Sequence, residues 1–332
     1  MLPVTLGRQG GVCFLGHSRY ILSVKILPDM NNAISRRVFM QTLAVGTTSA
    51  ALMSSVAFAR AKTSKYKLGL QLFTIRDALE RDLEGTLKEV SAIGYRDTET
   101  YGFDPVQVAY YGMKAADFKK LLEQNQLTTT SGHYTFSGFL YKTDDELKEY
   151  VDQCIKGAHA VGHKYITWPW LQPDYRSMES FRVLVKKLNM IGEQVSRSGL
   201  GFAYHNHDFE FTDHNGQNGY DLIMQETDPK TVKLQIDLYW AVHSSKLSPA
   251  ELFRKQPGRF VMWHIKDMHK VSRDYTELGN GSIDYTVILP DASLAGLEYY
   301  YLEQGGNFVT SSMKSIGESA AFFKKNLEKY LG

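Results

Sequence analysis

From Lys65 onward the sequence alternates eight short β-rich runs with amphipathic helical stretches, and no long linker interrupts the series. Period-two patterning predicts strands at Leu68–Phe73, Tyr95–Glu99, Thr128–His133, Tyr165–Trp168, Gly201–His207, Val232–Leu238, Phe260–Lys266 and Glu298–Glu303. Helical patterning predicts Asp82–Ile93, Ala115–Gln126, Asp144–Val161, Met178–Ser198, Tyr220–Glu226, Pro249–Lys255 and Tyr285–Ala295, with a last helix from about Met313 to Tyr330. Gly94, Gly162, Gly199, Gly258 and Gly296 each stand where a helix should stop before the next strand. Eight β-then-α units in about 265 residues match the count and size of a single-domain (β/α)8 barrel. A doubly wound sheet is the competitor, but no Gly-x-Gly-x-x-Gly follows the first strand. Gly279-Asn280-Gly281 comes too late for that role and reads as a tight turn before a helix starting near Asp284.

The first sixty residues have another character. Ser35-Arg36-Arg37-Val38-Phe39-Met40 precedes a mildly apolar run from Leu43 to Ala59, diluted by Gly46, Thr47, Thr48, Ser49, Ser54 and Ser55. A spanning helix needs about 20 predominantly apolar residues, so a permanent membrane anchor is disfavoured. Ala57-Phe58-Ala59 supplies a small-residue cleavage site. The whole resembles a twin-arginine export signal, which implies the twin-arginine machinery as a transient partner and a periplasmic location. The chain then divides into residues 1–29, an upstream extension from an early start with Met30 as the true start; 30–59, the signal; and 60–332, the catalytic domain. The signal class carries folded proteins, often with a cofactor already in place, which suits a metal enzyme. Cys13 lies upstream of the mature part, so Cys154 is left without a partner for an internal bridge.

Charge excludes one class of partner. The formal net charge of +2 comes from the front, where Arg8, Arg19, Lys25, Arg36 and Arg37 face only Asp29. From Arg60 onward 33 basic residues meet 35 acidic ones, a net of −2. Such a body has no electrostatic footprint for nucleic acid. A homo-oligomer is compatible with the sequence.

Barrel chemistry sits at the C-terminal ends of the strands. Here those ends carry Glu99, His133, Trp168 with Trp170, His205-Asn206-His207, Asp237, His264-Ile265-Lys266-Asp267 and Glu303. One such residue alone is usually structural. Four consecutive strands, five to eight, each ending in a nitrogen or oxygen ligand are another matter, and the mixed set suits Mn²⁺, Mg²⁺, Co²⁺ or Zn²⁺. Alternation puts His205 and His207 on one face of strand five, and His264 and Lys266 on one face of strand seven. Trp168, Trp170 and Trp240 read equally as core residues or as platforms for the apolar face of a sugar. His159 and His163 have i, i+4 spacing, but Gly162 interrupts them and no Glu follows His159, so a second metal there is disfavoured.

Gly69–Phe73, Tyr204–Phe211, Asp237–Trp240, His264–Asp267 and Gly279–Asp284 together resemble the xylose-isomerase-like sugar phosphate isomerase/epimerase family, and Glu303 after Tyr299-Tyr300-Tyr301-Leu302 fits its final strand. The resemblance implies one divalent metal held by a Glu, an Asp, a His and a second Glu from strands five to eight, with the two Glu residues also acting as acid and base. Asp237, His264 and Glu303 fall on three of these positions. His205 stands where the first Glu is expected, and Trp240 replaces the His of an Asp-x-x-His pattern. Imidazole preserves a ligand but removes the symmetric carboxylate pair. A branch resembling inosose dehydratase also carries a His-rich strand five and a His-x-Lys-Asp strand seven.

The expected assignments follow from these readings. The metal set is His205, Asp237, His264 and Glu303; the catalytic set is Glu303, His207 and Lys266, with Glu303 the first choice of base. Glu99, His133, Trp168, Trp170 and Trp240 are expected to bind substrate. The implied reaction moves a proton beside the carbonyl of a sugar or keto-sugar through an enediolate, giving isomerisation or epimerisation. Dehydration by the same fold is the alternative. A non-catalytic sugar-binding barrel and an endonuclease are weaker readings; the latter needs a basic surface and extra ligands.

Overall fold

Eight parallel strands close into a barrel: β1 (Gly69–Gln71), β2 (Asp97–Thr100), β3 (Thr128–His133), β4 (Tyr165–Trp168), β5 (Gly201–His205), β6 (Lys233–Asp237), β7 (Met262–Ile265) and β8 (Tyr299–Leu302). Each pairs with its sequence neighbours, and β8 returns to β1 with Gly69 opposite Tyr301. The computed structural model describes residues 65–331; the expected extension 1–29 and export signal 30–59 lie outside the described residues. Among the described residues no helix is long and apolar enough to cross a membrane.

The helices form where capping and periodicity place them. Asp144–Val161 opens with a reciprocal capping box between Thr143 and Glu146 and stops at Gly162, whose φ of +97° is left-handed and costs a glycine nothing. Pro249–Lys255 uses the same device through Ser248 and Glu251, with proline in its first turn. One expected helix is broken. Tyr285–Ala295 divides into Tyr285–Ile288, a tighter turn at Leu289–Asp291, and Ala292–Ala295. Pro290 lacks the N–H an unbroken helix needs, and its ring crowds the preceding turn.

Several strands end earlier than their apolar patterns, and the reasons shape the barrel mouth. β1 stops at Gln71 because its side chain accepts from Phe73 N and turns the chain into Leu72–Ile75. β5 stops at His205, and Glu210 then accepts from His207 N at 2.8 Å. β6 runs directly into a helix, Leu238–Ser244, because Asp237 caps it by accepting from Trp240 N. The expected turn at Gly279–Gly281 is present: the Asp267 carboxylate accepts from the backbone N–H of Gly279, Gly281 and Ile283. Two small antiparallel additions had no sequence signal: Phe103–Asp104, Ala109–Tyr110 and Met113–Lys114 after β2, and Asp267–Met268 with Tyr275–Thr276 after β7.

Candidate active site

Strand alternation sends Gln71, Glu99, His133, His205, Gln235, Asp237, His264 and Glu303 into the C-terminal half of the barrel. Register fixes their levels: Gln71 lies opposite Glu99, His205 opposite Gln235, and Asp237 opposite His264. At the centre is Glu99, fully buried, whose carboxylate accepts from Gln71 Nε2 at 2.6 Å, Gln235 Nε2 at 2.6 Å and His264 Nε2 at 2.5 Å. Burial alone would raise its pKa, but His133 and His264 hold it well below the usual carboxylate range.

This carboxylate sets the tautomers above it. Because Gln235 Nε2 donates to Glu99, Gln235 Oε1 faces the histidines as an acceptor. His205 Nδ1 lies 2.9 Å from that oxygen and His133 Nε2 lies 2.8 Å, so both donate. Burial, with His264 and His133 nearby, keeps His205 neutral. Its proton is on Nδ1, so Nε2 is bare and lies 3.7 Å from Asp237 Oδ2. Gln71 and Gln235 were not among the expected site residues. The available signal was Gln235 at two residues before Asp237, on the same strand face.

Above this floor two cations stand among carboxylates. Lys266 Nζ is 2.7 Å from Asp237 Oδ2 and 2.9 Å from Glu303 Oε2, and His264 Nδ1 is 2.5 Å from the same Glu303 oxygen. Burial would depress His264, yet Glu99 and Glu303 push it up to about 9. Burial likewise opposes Lys266, and Asp237 and Glu303 overcome it, holding the ammonium well above its ordinary range. Glu303 would be raised by burial but is held well below the usual range by Lys266 and His264. For Asp237 burial wins and the pKa is raised. Three carboxylates against two cations leave a buried negative charge.

A divalent ion fits this donor set. Ligand atoms of Asp237, His264 and Glu303 all lie within 4.8 Å of one another, as do those of His133, His205 and His264. Asp237 Oδ2 is buried without an aligned hydrogen bond, and the bare His205 Nε2 points at the same place. The contact from His264 Nε2 to Glu99 is the kind of carboxylate partner that would orient this imidazole toward a bound ion. Asp237, His264 and Glu303 would hold the ion, with His205 Nε2, 3.7 Å from Asp237 Oδ2, as the adjoining nitrogen.

Glu99, expected from the sequence to bind substrate, is instead fully buried beneath this donor set and bonded to Gln71, Gln235 and His264, where it would orient His264 toward a bound ion. Glu99→Gln should weaken divalent-ion binding by about 10–100-fold, the usual effect of losing such an outer partner. Titration calorimetry with Mn²⁺ reads this directly; an unchanged affinity would remove Glu99 from the ligand-orienting role.

The site opens into a cavity of about 530 Å³ lined at its base by His133, His205, His207, Lys266 and Glu303, and at its rim by Phe73, Tyr101, Trp170 and Tyr275. His207 stacks on Phe209, and its buried Nδ1 has no hydrogen-bond partner; burial and Lys266 keep the ring neutral. Glu210, pushed up to about 8 by burial, takes the Tyr204 hydroxyl at 2.7 Å and locks the His207 backbone. Trp170 is at the rim and 40% exposed. Trp240 packs behind His207 and Tyr275. Trp168 is a correction: alternation turns Thr167 inward and Trp168 outward, where it is fully buried and stacks on Phe136. The pair at His159 and His163 forms no site either. His163 is buried among Thr129 and Tyr134 hydroxyls, whereas His159 faces solvent.

Residues 87–325, well over half the chain, match the family described as xylose isomerase-like TIM barrel. The chain belongs to that family. The inosose dehydratase of Geobacillus thermodenitrificans is 26% identical over 141 residues, covering 37% of this chain and 46% of that protein. The match thus spans under half the length of that relative. A sugar phosphate isomerase/epimerase from Parabacteroides distasonis superposes with a TM-score of 0.70 at 23% identity, covering 81% of this chain and 96% of that one. An L-ribulose 3-epimerase gives 0.61 at 17%, covering 80% and 95%. A xylose isomerase-like barrel from Mycobacterium smegmatis in complex with magnesium gives 0.61 at 15%, covering 81% and 98%. At these identities the structural likenesses establish the barrel; named relatives include both epimerase and dehydratase.

Proposed function

We propose that this xylose isomerase-like barrel is a divalent-metal-dependent enzyme that moves a proton beside the carbonyl of a sugar or keto-sugar through an enediolate, as isomerases and epimerases do. The carrying observation is the cavity floor, where His207 and Lys266 stand beside Asp237, His264 and Glu303, whose ligand atoms lie within 4.8 Å of one another. A divalent ion, when bound, supplies positive charge to the oxygens that become negative as the proton leaves. Lys266, which lines the cavity beside Asp237 and Glu303, is placed to donate to a developing oxyanion. His207 is neutral and lines the cavity, which makes its imidazole the group we assign to receive the proton. The test is a keto-sugar screen in D₂O with Mn²⁺-loaded and chelator-stripped protein, followed by proton NMR. Exchange at the carbon next to the carbonyl, lost on stripping, supports the reading; equal exchange in both samples overturns the metal dependence.

Dehydration is the second reading, favoured by His205 at the position of a family Glu and by the inosose dehydratase relative. With one carboxylate facing a wall of imidazoles, a proton removed on one side can be followed by protonation of a leaving hydroxyl. The same NMR experiment separates the two, since elimination yields a product lighter by one water.

The location belongs to the proposal as well: export by the twin-arginine route with cleavage after Ala59. Changing Arg36 and Arg37 together to Lys should leave uncleaved precursor in the cytoplasm, read by fractionation and blotting. Undiminished secretion would point to the unfolded-chain route.

A further inference from the structure

Resting on the carbohydrate reading, the geometry points to a second subsite at the cavity rim, one that takes the remote ring of a neutral disaccharide. Phe73 and Trp170, both 40% exposed, keep large aromatic surface in contact with solvent at the edge of the cavity. Tyr101 meets Phe73 edge to face at 5.3 Å and extends that wall. Ionisable groups collect at the floor; the rim is aromatic. Rings of this kind bind the C–H face of a pyranose, and a cavity of about 530 Å³ exceeds what one hexose fills.

The nearby cations argue against a phosphate in the same place. Arg76 donates to Phe73 O at 2.8 Å and Gly305 O at 3.2 Å, and its guanidinium covers one face of the Phe73 ring at 4.3 Å. Arg176 donates twice to Leu171 O and lies 3.9 Å from the Phe209 ring centre and 5.2 Å from that of Trp170. Both arginines pack on rings of the aromatic walls. Lys266 is committed to Asp237 and Glu303. Neither arginine lines the cavity and Lys266 lies at its floor, so the rim presents no cationic side chain to a dianionic tail, whereas an uncharged ring needs none.

Calorimetric titration of the Mn²⁺-loaded full chain tests this with glucose, galactose and mannose, with maltose, cellobiose and lactose, and with glucose 6-phosphate. At least one disaccharide should bind about ten-fold more tightly than its monosaccharide, the scale of one added stacking contact, and the phosphate should give no gain. In the double variant Phe73→Ala with Trp170→Ala the difference between disaccharide and monosaccharide should vanish, with circular dichroism showing an intact barrel. If monosaccharides bind, or exchange protons in D₂O, while disaccharides bind no more tightly, the subsite is refuted and the proposed reaction stands. Tighter binding of the sugar phosphate also refutes it. Binding of no sugar at all overturns both.

Discussion

Asp237→Asn is expected to weaken divalent-ion binding by at least about 100-fold while leaving the barrel folded. The substitution is chosen over alanine for a structural reason. Asp237 Oδ1 accepts from Trp240 N and caps the helix Leu238–Ser244, and asparagine caps as well as aspartate does. Alanine would forfeit the cap, about 1 kcal/mol, and would blur a ligand effect with a folding effect. What asparagine removes is the charge on Oδ2, the buried atom that faces Lys266 and His205 Nε2. Without it Lys266 and His264 outnumber the ionised carboxylates able to face an entering ion, and the buried negative charge that attracts it is gone. Calorimetry with Mn²⁺ measures the loss and thermal unfolding checks the fold. A variant that binds as the parent does would dismiss Asp237 as a ligand.

The barrel was legible because period two and period 3.6 alternate eight times with capping signals between them. Asp144–Val161 and Pro249–Lys255 have their observed bounds already in the sequence, since Thr143 with Glu146 and Ser248 with Glu251 write out their starts. Strand ends were less legible. Apolar patterning continues past Gln71 and His205, whereas the chain actually turns where a side chain captures a backbone N–H, a tertiary event that periodicity does not carry. The site followed the same division. That His205, Asp237, His264 and Glu303 share one end of the barrel is a matter of strand order. That Trp168 faces the helices is a matter of parity, readable from Thr167 once the inward face of β4 is known. The burial of Glu99 beneath the site was hidden because its hydrogen bonds come from Gln235, Gln71 and His264 on three other strands.

His207→Gln is expected to slow proton exchange at the substrate carbon by about 10²–10⁴-fold while keeping divalent-ion affinity, whereas Glu303→Gln should lower both. The two variants separate groups that the sequence alone left joined. Glu303 was the first choice of base as the retained member of a carboxylate pair, but it contacts both His264 Nδ1 and Lys266 Nζ. Those two cations hold its proton affinity well below that of a free carboxylate, so it offers negative charge more readily than it accepts a proton. His207 is placed differently. Burial and Lys266 also disfavour a proton on its ring, while Glu303 favours one, but the ring lies against Phe209 at the cavity wall and is outside the ion pairs that engage Glu303. The Glu210 carboxyl fixes its backbone without engaging the imidazole. Glutamine keeps polarity and approximate length but has no basic nitrogen. Exchange measured in D₂O and Mn²⁺ affinity measured on the same preparations give the pair of readouts. If His207→Gln exchanges at the parental rate and Glu303→Gln binds metal normally but does not exchange, the carboxylate is the base and the imidazole only lines the cavity.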